Sequence, residues 1–390
     1  MKRRIAVFMG TRPEAIKMAP VVAALEAADD LDPIVVSTGQ HKEMLQQVID
    51  LFGLDVDHEL AVMRPNQTLA GLTARLMERI DALLADVKPD MALVQGDTTT
   101  VLVASLACFY RRIPIGHVEA GLRTSNIWSP FPEEANRRLA SPLVTLHFPP
   151  TEAAREALVR EGVDERQIVV TGNTVIDALQ HEAGQQRAPA VQKQVHDALA
   201  GALGDDWADV DYVLITGHRR ENFGSGFEQI CEAIGELADC FPDHRFIYPV
   251  HLNPAVREPV YATLGERSNI RLIAPQGYRT FVALMRHCKL VLTDSGGVQE
   301  EAPGLGKPVI VMRDTTERPE GVEAGTVRLV GADRQRIVAA VSELLTDDAA
   351  YRRMSEANNP YGDGQAAGRI VRRIRQHFAE REPAVAKAGL

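Results

Sequence analysis

Residues 290–301 read LVLTDSGGVQEE, an apolar run followed by Asp-Ser-Gly-Gly and then two glutamates. The apolar run predicts a buried strand, and the glycine pair predicts a tight turn into a helix. Glycines after a strand let backbone N–H groups approach a ligand closely, and the helix N-terminus adds unpaired donors and a positive dipole end. The stretch therefore predicts a strand–turn–helix unit that binds an anion such as a phosphate.

The same alternation of strand and helix recurs along the chain, which is typical of parallel α/β sheets. In the first half, strands are predicted at 4–10, 33–38, 91–97, 113–120, 144–149 and 167–172. In the second half, they are predicted at 212–218, 246–251, 269–275, 290–296 and 308–314. Residues 184–211 lack strand character, and the pattern restarts after them. We therefore expect two doubly wound domains.

The composition argues against several classes of protein. A chain of 390 residues with 45% hydrophobic content is long enough for two domains. Its net charge of −10 argues against a general nucleic-acid binder, whose affinity would depend on a basic face. No run of about 18 apolar residues predicts a membrane span, and the apolar run near the start is too short for a secretory signal. Four scattered cysteines without a CxxC pair favour a reducing cytoplasm.

Polar residues follow the first predicted strand, where open α/β sheets bind their ligands. Arg12 lies in the turn and Lys17 lies one turn into the following helix. Arg12 could form two hydrogen bonds to a phosphate or carboxylate, and Lys17 could add a positive charge beside it. An ordinary capped helix with Pro13 at its first position would explain the same residues.

Three carboxylates, Asp97, Glu119 and Glu133, follow later strands or open a helix. Asp97 either caps the next helix or faces a ligand, and the helix dipole alone would explain Glu133. Nearby cations are Arg12, Lys17, Arg123 and Arg137. Crowded carboxylates with neutralising cations suit general acid–base chemistry. They could also bind a metal, but no HxxxH motif, His–Cys cluster or EF-hand loop accompanies them.

In the second half, His218 ends a predicted strand and is followed by two arginines. A histidine there could donate to a phosphate or shuttle a proton, or it could simply lie on the surface. Within residues 293–303, Ser295, Gly296 and Gly297 begin the predicted helix. Glu301 is placed to accept ribose hydroxyls, although a helix residue there needs no ligand. No GxGxxG or GxxxxGK[ST] motif occurs, so neither NAD binding nor ATP hydrolysis is expected.

Taken together, these motifs resemble the non-hydrolysing UDP-N-acetylglucosamine 2-epimerases of bacteria. The matching stretches run in order from Gly10 to Gly364: GTRPEAIKMAP (10–20), GDTTT (96–100), HVEAGLRT (117–124), PEEANR (132–137), TGHRRENFG (216–224), YPVHLNP (248–254), TDSGGVQEEAP (293–303), MRDTTERPE (312–320) and NPYGDG (359–364). The resemblance implies a GT-B-like α/β fold, with two Rossmann-like doubly wound parallel-sheet domains facing an active-site cleft. The implied domains are 1–174 and 175–364, with a final helix in 365–390 crossing back to the first.

The resemblance also implies a reaction. Such enzymes interconvert UDP-GlcNAc and UDP-ManNAc without NAD or metal, by eliminating UDP to give 2-acetamidoglucal and adding it back. The product would feed cell-surface polysaccharide synthesis, and which polymer uses it stays open. The enzyme would be a cytoplasmic homodimer with no cofactor, no nucleic-acid partner and no membrane partner.

The resemblance assigns roles to matching residues. Asp97, Glu119 and Glu133 would serve proton transfer and sugar positioning, with the identity of the base left open. His218 would steady or protonate the departing phosphate. The remaining substrate contacts would come from Arg12, Lys17, Arg137, Gln276, Phe281, Ser295, Gly296, Gly297, Glu301 and Arg318. Of these, Arg137 and Arg318 would face the sugar, residues 295–297 the diphosphate and Glu301 the ribose, while the backbone around Gln276 and Phe281 would contact the uracil.

Some members of this family are activated by UDP-GlcNAc bound beside the active site. The residues of this chain that match such a second site are Gln40, His41, Glu133, Arg219 and His251. The chain has Glu43 and Asn66 where a well-developed site would have Gln and Arg. These two departures argue against complete allosteric control.

Three other functions fit parts of the same pattern. A GT-B glycosyltransferase would bind UDP-sugar in a similar way, but it would transfer the sugar to an acceptor. A hydrolysing epimerase would release free ManNAc and UDP. A nucleotide-sugar sensor would bind without chemistry, which the three carboxylates make a poor explanation. Incubation with UDP-GlcNAc alone distinguishes these functions from the non-hydrolysing epimerase.

Overall fold

The structure, a computed structural model, describes residues 2–39, 42–64, 66–124, 126–219 and 222–388, without the side chains of 42–44 and 382–388. The chain forms two compact units. One unit consists of Met1–Ala178 with Tyr361–Leu390, and the other of Leu179–Pro360.

A six-stranded parallel sheet in the order β3-β2-β1-β4-β5-β6 forms the centre of the first unit. Its strands are β1 Arg3–Met9, β2 Leu31–Ser37, β3 His58–Glu59, β4 Met91–Gln95, β5 Ile115–Val118 and β6 Leu146–Phe148. Its helices are α1 Arg12–Glu26, α2 Lys42–Phe52, α3 Leu69–Val87, α4 Thr99–Tyr110, α5 Glu133–Ala140, α6 Glu152–Arg160, the start of α7 Thr174–Gln185, and the C-terminal Ala366–Ala388. All five residues of β4 are buried, as expected of a strand covered by helices on both faces.

The second unit repeats this design with the strand order β12-β11-β10-β7-β8-β9, again all parallel. The strands are β7 Tyr212–Thr216, β8 Arg245–Pro249, β9 Ile270–Ile273, β10 Leu290–Thr293, β11 Val309–Val311 and β12 Val327–Leu329. The helices are α8 Pro189–Leu203, α9 Ser225–Cys240, α10 Pro254–Leu264, α11 Tyr278–His287, α12 Gly296–Glu301, α13 Pro319–Glu323, α14 Arg334–Thr346 and α15 Asp348–Ser355. The prediction of two Rossmann-like parallel α/β sheets is confirmed.

The C-terminal helix α16, Ala366–Ala388, belongs to the first unit. The Asp177 carboxylate accepts hydrogen bonds from the backbone N–H groups of Ala366 at 3.2 Å and Ala367 at 2.9 Å. Further along, Arg375 forms a 2.9 Å ion pair with Asp30. Because the first N–H groups of a helix lack intrahelical partners, Asp177 both caps α16 and fixes where it starts.

The sequence-based prediction was wrong at three sheet edges. Residues 167–172 do not form a strand, because only Ile168 makes an isolated bridge, to His147. Gly172 then turns the chain with a φ of +86°. In addition, β3 and β12 were not predicted. They contain two and three residues, too few for an alternation pattern to be visible in the sequence.

Two histidines are buried side by side, His117 on β5 and His147 on β6. His117 Nε2 is 2.7 Å from the Gly96 carbonyl oxygen. Burial lowers the pKa of His117 to about 4 and that of His147 to about 3. For His147 the His117 and Arg123 charges act in the same direction. Both rings are therefore neutral in the native protein at neutral pH.

Acidification should destabilise the protein through His147. In the unfolded state His147 binds a proton near its ordinary pKa of 6.5. In the native state it binds a proton only near the lowered pKa of about 3. The free energy of unfolding therefore falls as the pH drops below about 6.5, by up to about 1.4 kcal/mol per pH unit for this group, and levels off near the native pKa. His147→Gln should flatten the pH dependence in urea unfolding by up to about one proton, with His196→Gln, whose side chain is 42% exposed, as control. An unchanged slope in His147→Gln would contradict this prediction.

Within the described ranges, no helix combines the length and apolar character needed to cross a membrane.

Candidate active site

The strand order of each sheet reverses at one point, and polar residues follow both strands there. In the first unit this point lies between β1 and β4, and in the second unit between β7 and β10. Ligands of open α/β sheets bind beyond the carboxyl ends of the strands at such a point. The segments after these four strands, and after the neighbouring β5, therefore form the candidate site of each unit.

The Glu119 carboxylate lies directly after β5 and is almost buried, at 8% exposure. It forms an ion pair with Lys17 from the second turn of α1, and Gln95 at the end of β4 donates an amide hydrogen bond to it. Glu119 has a φ of +61°, a left-handed conformation that non-glycine residues seldom adopt. The backbone turn therefore holds this carboxylate at the strand end, where Lys17 and Gln95 reach it.

Asp97 lies two residues after β4, and its carboxylate forms an ion pair with the buried Arg137 of α5. Asn136 donates a 2.9 Å hydrogen bond to the Asp97 backbone carbonyl. The fully buried Glu134 accepts from Arg137 at 3.2 Å and from Arg138 at 2.7 Å. Helix α5 therefore fixes both the backbone and the side chain of Asp97.

Glu133 and Arg12 are the two predicted first-unit residues without such partners. Glu133 opens α5 and is half-buried, and Arg12 opens α1 and is also half-buried. Neither forms an ion pair with any residue in the described ranges. Both charged groups therefore remain available to a ligand.

A buried carboxylate that the sequence-based prediction did not single out, Glu14, connects the loops after β1 and β4. It accepts backbone hydrogen bonds from Gly10 at 2.8 Å and Thr11 at 2.7 Å, and a hydroxyl hydrogen bond from Thr98 at 2.6 Å. Burial raises the pKa of Glu14, and these donors act against that shift. The Thr-x-x-Glu spacing of a capping box was the signal that could have identified it.

In the second unit, His218 lies two residues after β7 with 42% of its side chain exposed. The His251 ring stacks on it with a centroid distance of 5.5 Å and an interplanar angle of 15°. Desolvation lowers the pKa of His218, while the Asp294 carboxylate raises it. Arg219, the next residue, lies 3.4 Å from Glu317. This loop thus presents an imidazole and a guanidinium at the strand end.

Residues 290–301 form β10 and the short helix α12, with Ser295 at the N-cap. The Ser295 side chain makes no capping hydrogen bond, and its backbone N–H donates to the Thr293 hydroxyl at 2.9 Å. Gly296 lies against Arg318, whose guanidinium donates to Glu300 at 2.5 Å and to Glu317 at 2.8 Å. Despite the desolvation of Glu317, Arg318 and Arg313 lower its pKa to about 2. The glycine is needed because Arg318 packs directly on it.

Glu301 ends α12 and is almost buried. It lies beside Tyr278 at the start of α11: burial, and then the Glu301 charge, raise the pKa of that phenol well above its ordinary value. Half-buried Gln276 and Phe281 flank Tyr278 in the chain. Glu301, predicted to bind the ribose, therefore lies beside a residue of the segment predicted to contact the uracil.

Two interpretations from the sequence need correction. Thr98, not Asp97, is the N-cap of α4, and the Asp97 side chain pairs with Arg137 instead. Arg123 does not neutralise the carboxylate cluster, because it forms a bidentate ion pair with Glu161 at 2.8 and 2.7 Å. Gln40 and His41, predicted for the second site, lie outside the described residues.

Among the residues that the structure describes, no group of three or more His, Cys, Asp or Glu side chains is arranged to hold a metal ion.

Carboxylates paired with cations follow the strands of the first unit, and a glycine-rich helix start and a histidine follow the strands of the second. Charged groups beyond the carboxyl ends of parallel strands are typical of Rossmann-type enzymes. A sequence model of the family described as UDP-N-acetylglucosamine 2-epimerase matches residues 23–375. The chain belongs to this family of isomerases.

Similar proteins span almost the whole chain. The UDP-N-acetylglucosamine 2-epimerase of Escherichia coli O157:H7 is 53% identical over 378 residues, which is 96% of this chain and 99% of that protein. The Neisseria meningitidis enzyme, solved with UDP-GlcNAc bound, is 47% identical with a TM-score of 0.89, covering 96% and 100% of the two chains. The Methanocaldococcus jannaschii enzyme, solved with UDP-GlcNAc and UDP, is 33% identical with a TM-score of 0.80, covering 96% and 99%. The resemblance and the GT-B-like fold class predicted from sequence are confirmed.

Proposed function

We propose that the protein interconverts UDP-GlcNAc and UDP-ManNAc by inverting carbon 2 of the sugar. The observation that carries this proposal is the pair of carboxylates, Asp97 and Glu119, after two adjacent strands, each in contact with a cation. Similar proteins named for this reaction, and relatives solved with UDP-GlcNAc, support the choice of substrate.

The chemistry explains why such groups are needed. No carbonyl lies next to carbon 2 in the ring, so simple deprotonation would give an unstabilised anion. Elimination avoids this: the C2–H electrons form the C1–C2 double bond, and the C1–O electrons leave with UDP. Re-addition of UDP with protonation from the opposite face gives the epimer. The reaction needs a base, an acid on the other face and a firm hold on UDP.

In the first unit, Asp97, Glu119 and Glu133 would carry out proton transfer and position the sugar. Lys17 and Arg137 form ion pairs with two of these carboxylates and orient them. Arg12, which has no ion-pair partner among the described residues, would bind a phosphate or sugar oxygen. Hydrogen exchange at carbon 2 in the Asp97→Asn and Glu119→Gln variants identifies which carboxylate takes the proton.

In the second unit, Ser295, Gly296 and Gly297 would hold the diphosphate, since first-turn N–H groups lack intrahelical partners. Glu301 would accept the ribose hydroxyls, and the backbone around Gln276 and Phe281 would contact the uracil. His218 would stabilise the departing phosphate, and Arg318 would face the sugar side.

The direct test is NMR of UDP-GlcNAc with the purified protein in deuterium oxide, with no acceptor or cofactor added. We expect UDP-ManNAc to appear and deuterium to enter carbon 2 of both sugars. Release of free ManNAc would instead indicate a hydrolysing enzyme, and binding without exchange would indicate a sensor. A requirement for an acceptor would indicate a glycosyltransferase.

We further propose that the enzyme is a cytoplasmic homodimer whose product feeds cell-surface polysaccharide synthesis. All four cysteines are free thiols, which fits a reducing compartment. Phe109 and Tyr110, at the end of α4, expose 54% and 66% of their surface and could pack against a second copy. Light scattering should then give twice the chain mass of 42.7 kDa.

A second nucleotide-sugar site beside the first would use Gln40, His41, Arg219 and His251, together with Glu133. The stacking of His251 on His218 supports this proposal, because it places one candidate activator residue against the proposed catalytic ring.

If this second site operates, forward rates should rise sigmoidally with UDP-GlcNAc, and pure UDP-ManNAc should react only after UDP-GlcNAc is added. Arg219→Met should make the forward curve hyperbolic, because it removes a cation from the activator's phosphates. A hyperbolic wild-type curve, with immediate reaction of pure UDP-ManNAc, would argue against the site.

A further inference from the structure

Asp294 is a buried carboxylate that takes no part in the proposed reaction steps. It lies between β10 and Ser295, and its side chain has 0% exposure. A carboxylate taken fully out of water is costly unless hydrogen bonds or charges compensate. Its partners therefore indicate what it does.

One oxygen of Asp294 holds the loop that follows β7. Oδ2 accepts the backbone N–H groups of His218 at 2.9 Å and Arg219 at 2.8 Å, and lies 3.5 Å from Asn222 Nδ2. The Tyr248 hydroxyl donates to the Gly217 carbonyl at 2.9 Å and so fixes the residue before His218. The backbone of His218 is thus held from both sides.

The other oxygen, Oδ1, has no hydrogen-bond partner within the described part of the chain. His218 Nδ1 lies 3.5 Å from it. A buried acceptor without a donor is unfavourable. A small rotation of the His218 ring would bring its Nδ1–H within hydrogen-bond distance of Oδ1 and satisfy this acceptor. Catalytic hydrogen bonds are often long without ligand and shorten in the substrate complex.

The other groups around His218 affect the pKa of its ring. The His251 ring stacks on one side, and Arg219 follows in the chain. Desolvation, the His251 charge and the Arg219 charge all lower the pKa of His218, whereas Asp294 alone raises it. An imidazolium at this position therefore depends on Asp294.

We propose that Asp294 is a positioning residue that accepts the Nδ1–H of His218 and directs Nε2–H at the departing diphosphate. This inference rests on the proposed function of His218. As the C1–O bond breaks, its electron pair stays on the phosphate oxygen, and the imidazolium donates its Nε2 hydrogen bond or proton to that oxygen. On re-addition the proton returns to Nε2. Nδ1–H stays on His218 throughout, hydrogen-bonded to Asp294.

The test compares Asp294→Asn and His218→Ala, alone and combined, by steady-state epimerisation of UDP-GlcNAc across pH. Asparagine keeps an oxygen for the two backbone N–H groups but places an amide donor opposite Nδ1. We expect Asp294→Asn to lower kcat by about 100-fold or more with KM changed less than about threefold. In the His218→Ala background the same change should cost less than about threefold, because two residues acting through one group are not additive.

The pH profile adds a readout that a structural role alone would not change. Loss of the Asp294 charge lowers the His218 pKa, so the alkaline limb of kcat/KM should move to lower pH. Tyr248→Phe is the matched control: it removes a hydrogen bond to the same loop, and its alkaline limb should stay in place. Equal losses in both backgrounds, or an unmoved limb in Asp294→Asn, would overturn the proposal.

A separate measurement keeps this proposal distinct from the proposed function. If the wild-type protein does not epimerise UDP-GlcNAc, the function is wrong, and the contact is then tested by NMR titration of His218. Its pKa should be lower in Asp294→Asn than in wild type. An equal pKa would overturn the contact regardless of the reaction.

Discussion

Asp97→Asn and Glu119→Gln should each lower the exchange of the carbon 2 hydrogen in deuterium oxide by at least about 1,000-fold while leaving UDP affinity within about threefold. Both amides keep the size of the carboxylate but can neither accept a proton nor return one. Apart from Arg12, the residues proposed to bind UDP lie in the second unit, whereas Asp97 and Glu119 lie in the first. Isotope exchange followed by NMR, with UDP binding by calorimetry, measures the two effects separately.

The control is Glu161→Gln, which removes an equivalent carboxylate of the same unit, paired with Arg123 rather than with Lys17 or Arg137. Its exchange rate should match the wild type. A wild-type exchange rate in either Asp97→Asn or Glu119→Gln would exclude that carboxylate from proton transfer. If one variant loses exchange only from UDP-GlcNAc and the other only from UDP-ManNAc, each carboxylate is the base for one face.

Gly296→Val should lower UDP affinity by at least about tenfold and epimerisation by at least about 100-fold. A Cβ atom at Gly296 would lie 2.6 Å from Arg318 Nη1 and 3.0 Å from Glu317 Oε1. Arg318 cannot yield easily, because its ion pairs with Glu300 and Glu317 hold it in place. Turnover should fall more than affinity because UDP must also be retained after its bond to the sugar breaks.

Gly297→Ala provides the comparison within the same turn. A Cβ atom there would be 3.7 Å from Glu301 Oε2, an ordinary van der Waals distance, so Arg318 is not displaced. Its losses should therefore be clearly smaller than those of Gly296→Val, with melting temperatures measured to separate folding from binding. Wild-type UDP affinity in Gly296→Val would show that the diphosphate does not approach this backbone.

Much of the fold could be predicted from the sequence, because a buried parallel strand consists of a continuous run of apolar residues. The runs around β1, β4 and β10 could be located without tertiary information, and the residues at their ends followed from chain order. The edge strands β3 and β12 could not be located, because so few residues carry no periodicity. Nor could the bridge of Ile168 to the sheet edge be distinguished from a strand.

For the candidate site, sequence alone determined which chemical groups follow which strand, since that depends on local order along one chain. Tertiary structure decided which groups meet: Lys17 pairs with Glu119 across 102 positions, and Arg137 with Asp97 across 40. It also paired Arg123 with Glu161 and placed the Asp294 carboxylate 3.5 Å from His218 Nδ1. Ion pairs and buried hydrogen bonds depend on distances that packing of distant segments creates, and short motifs carry no information about them.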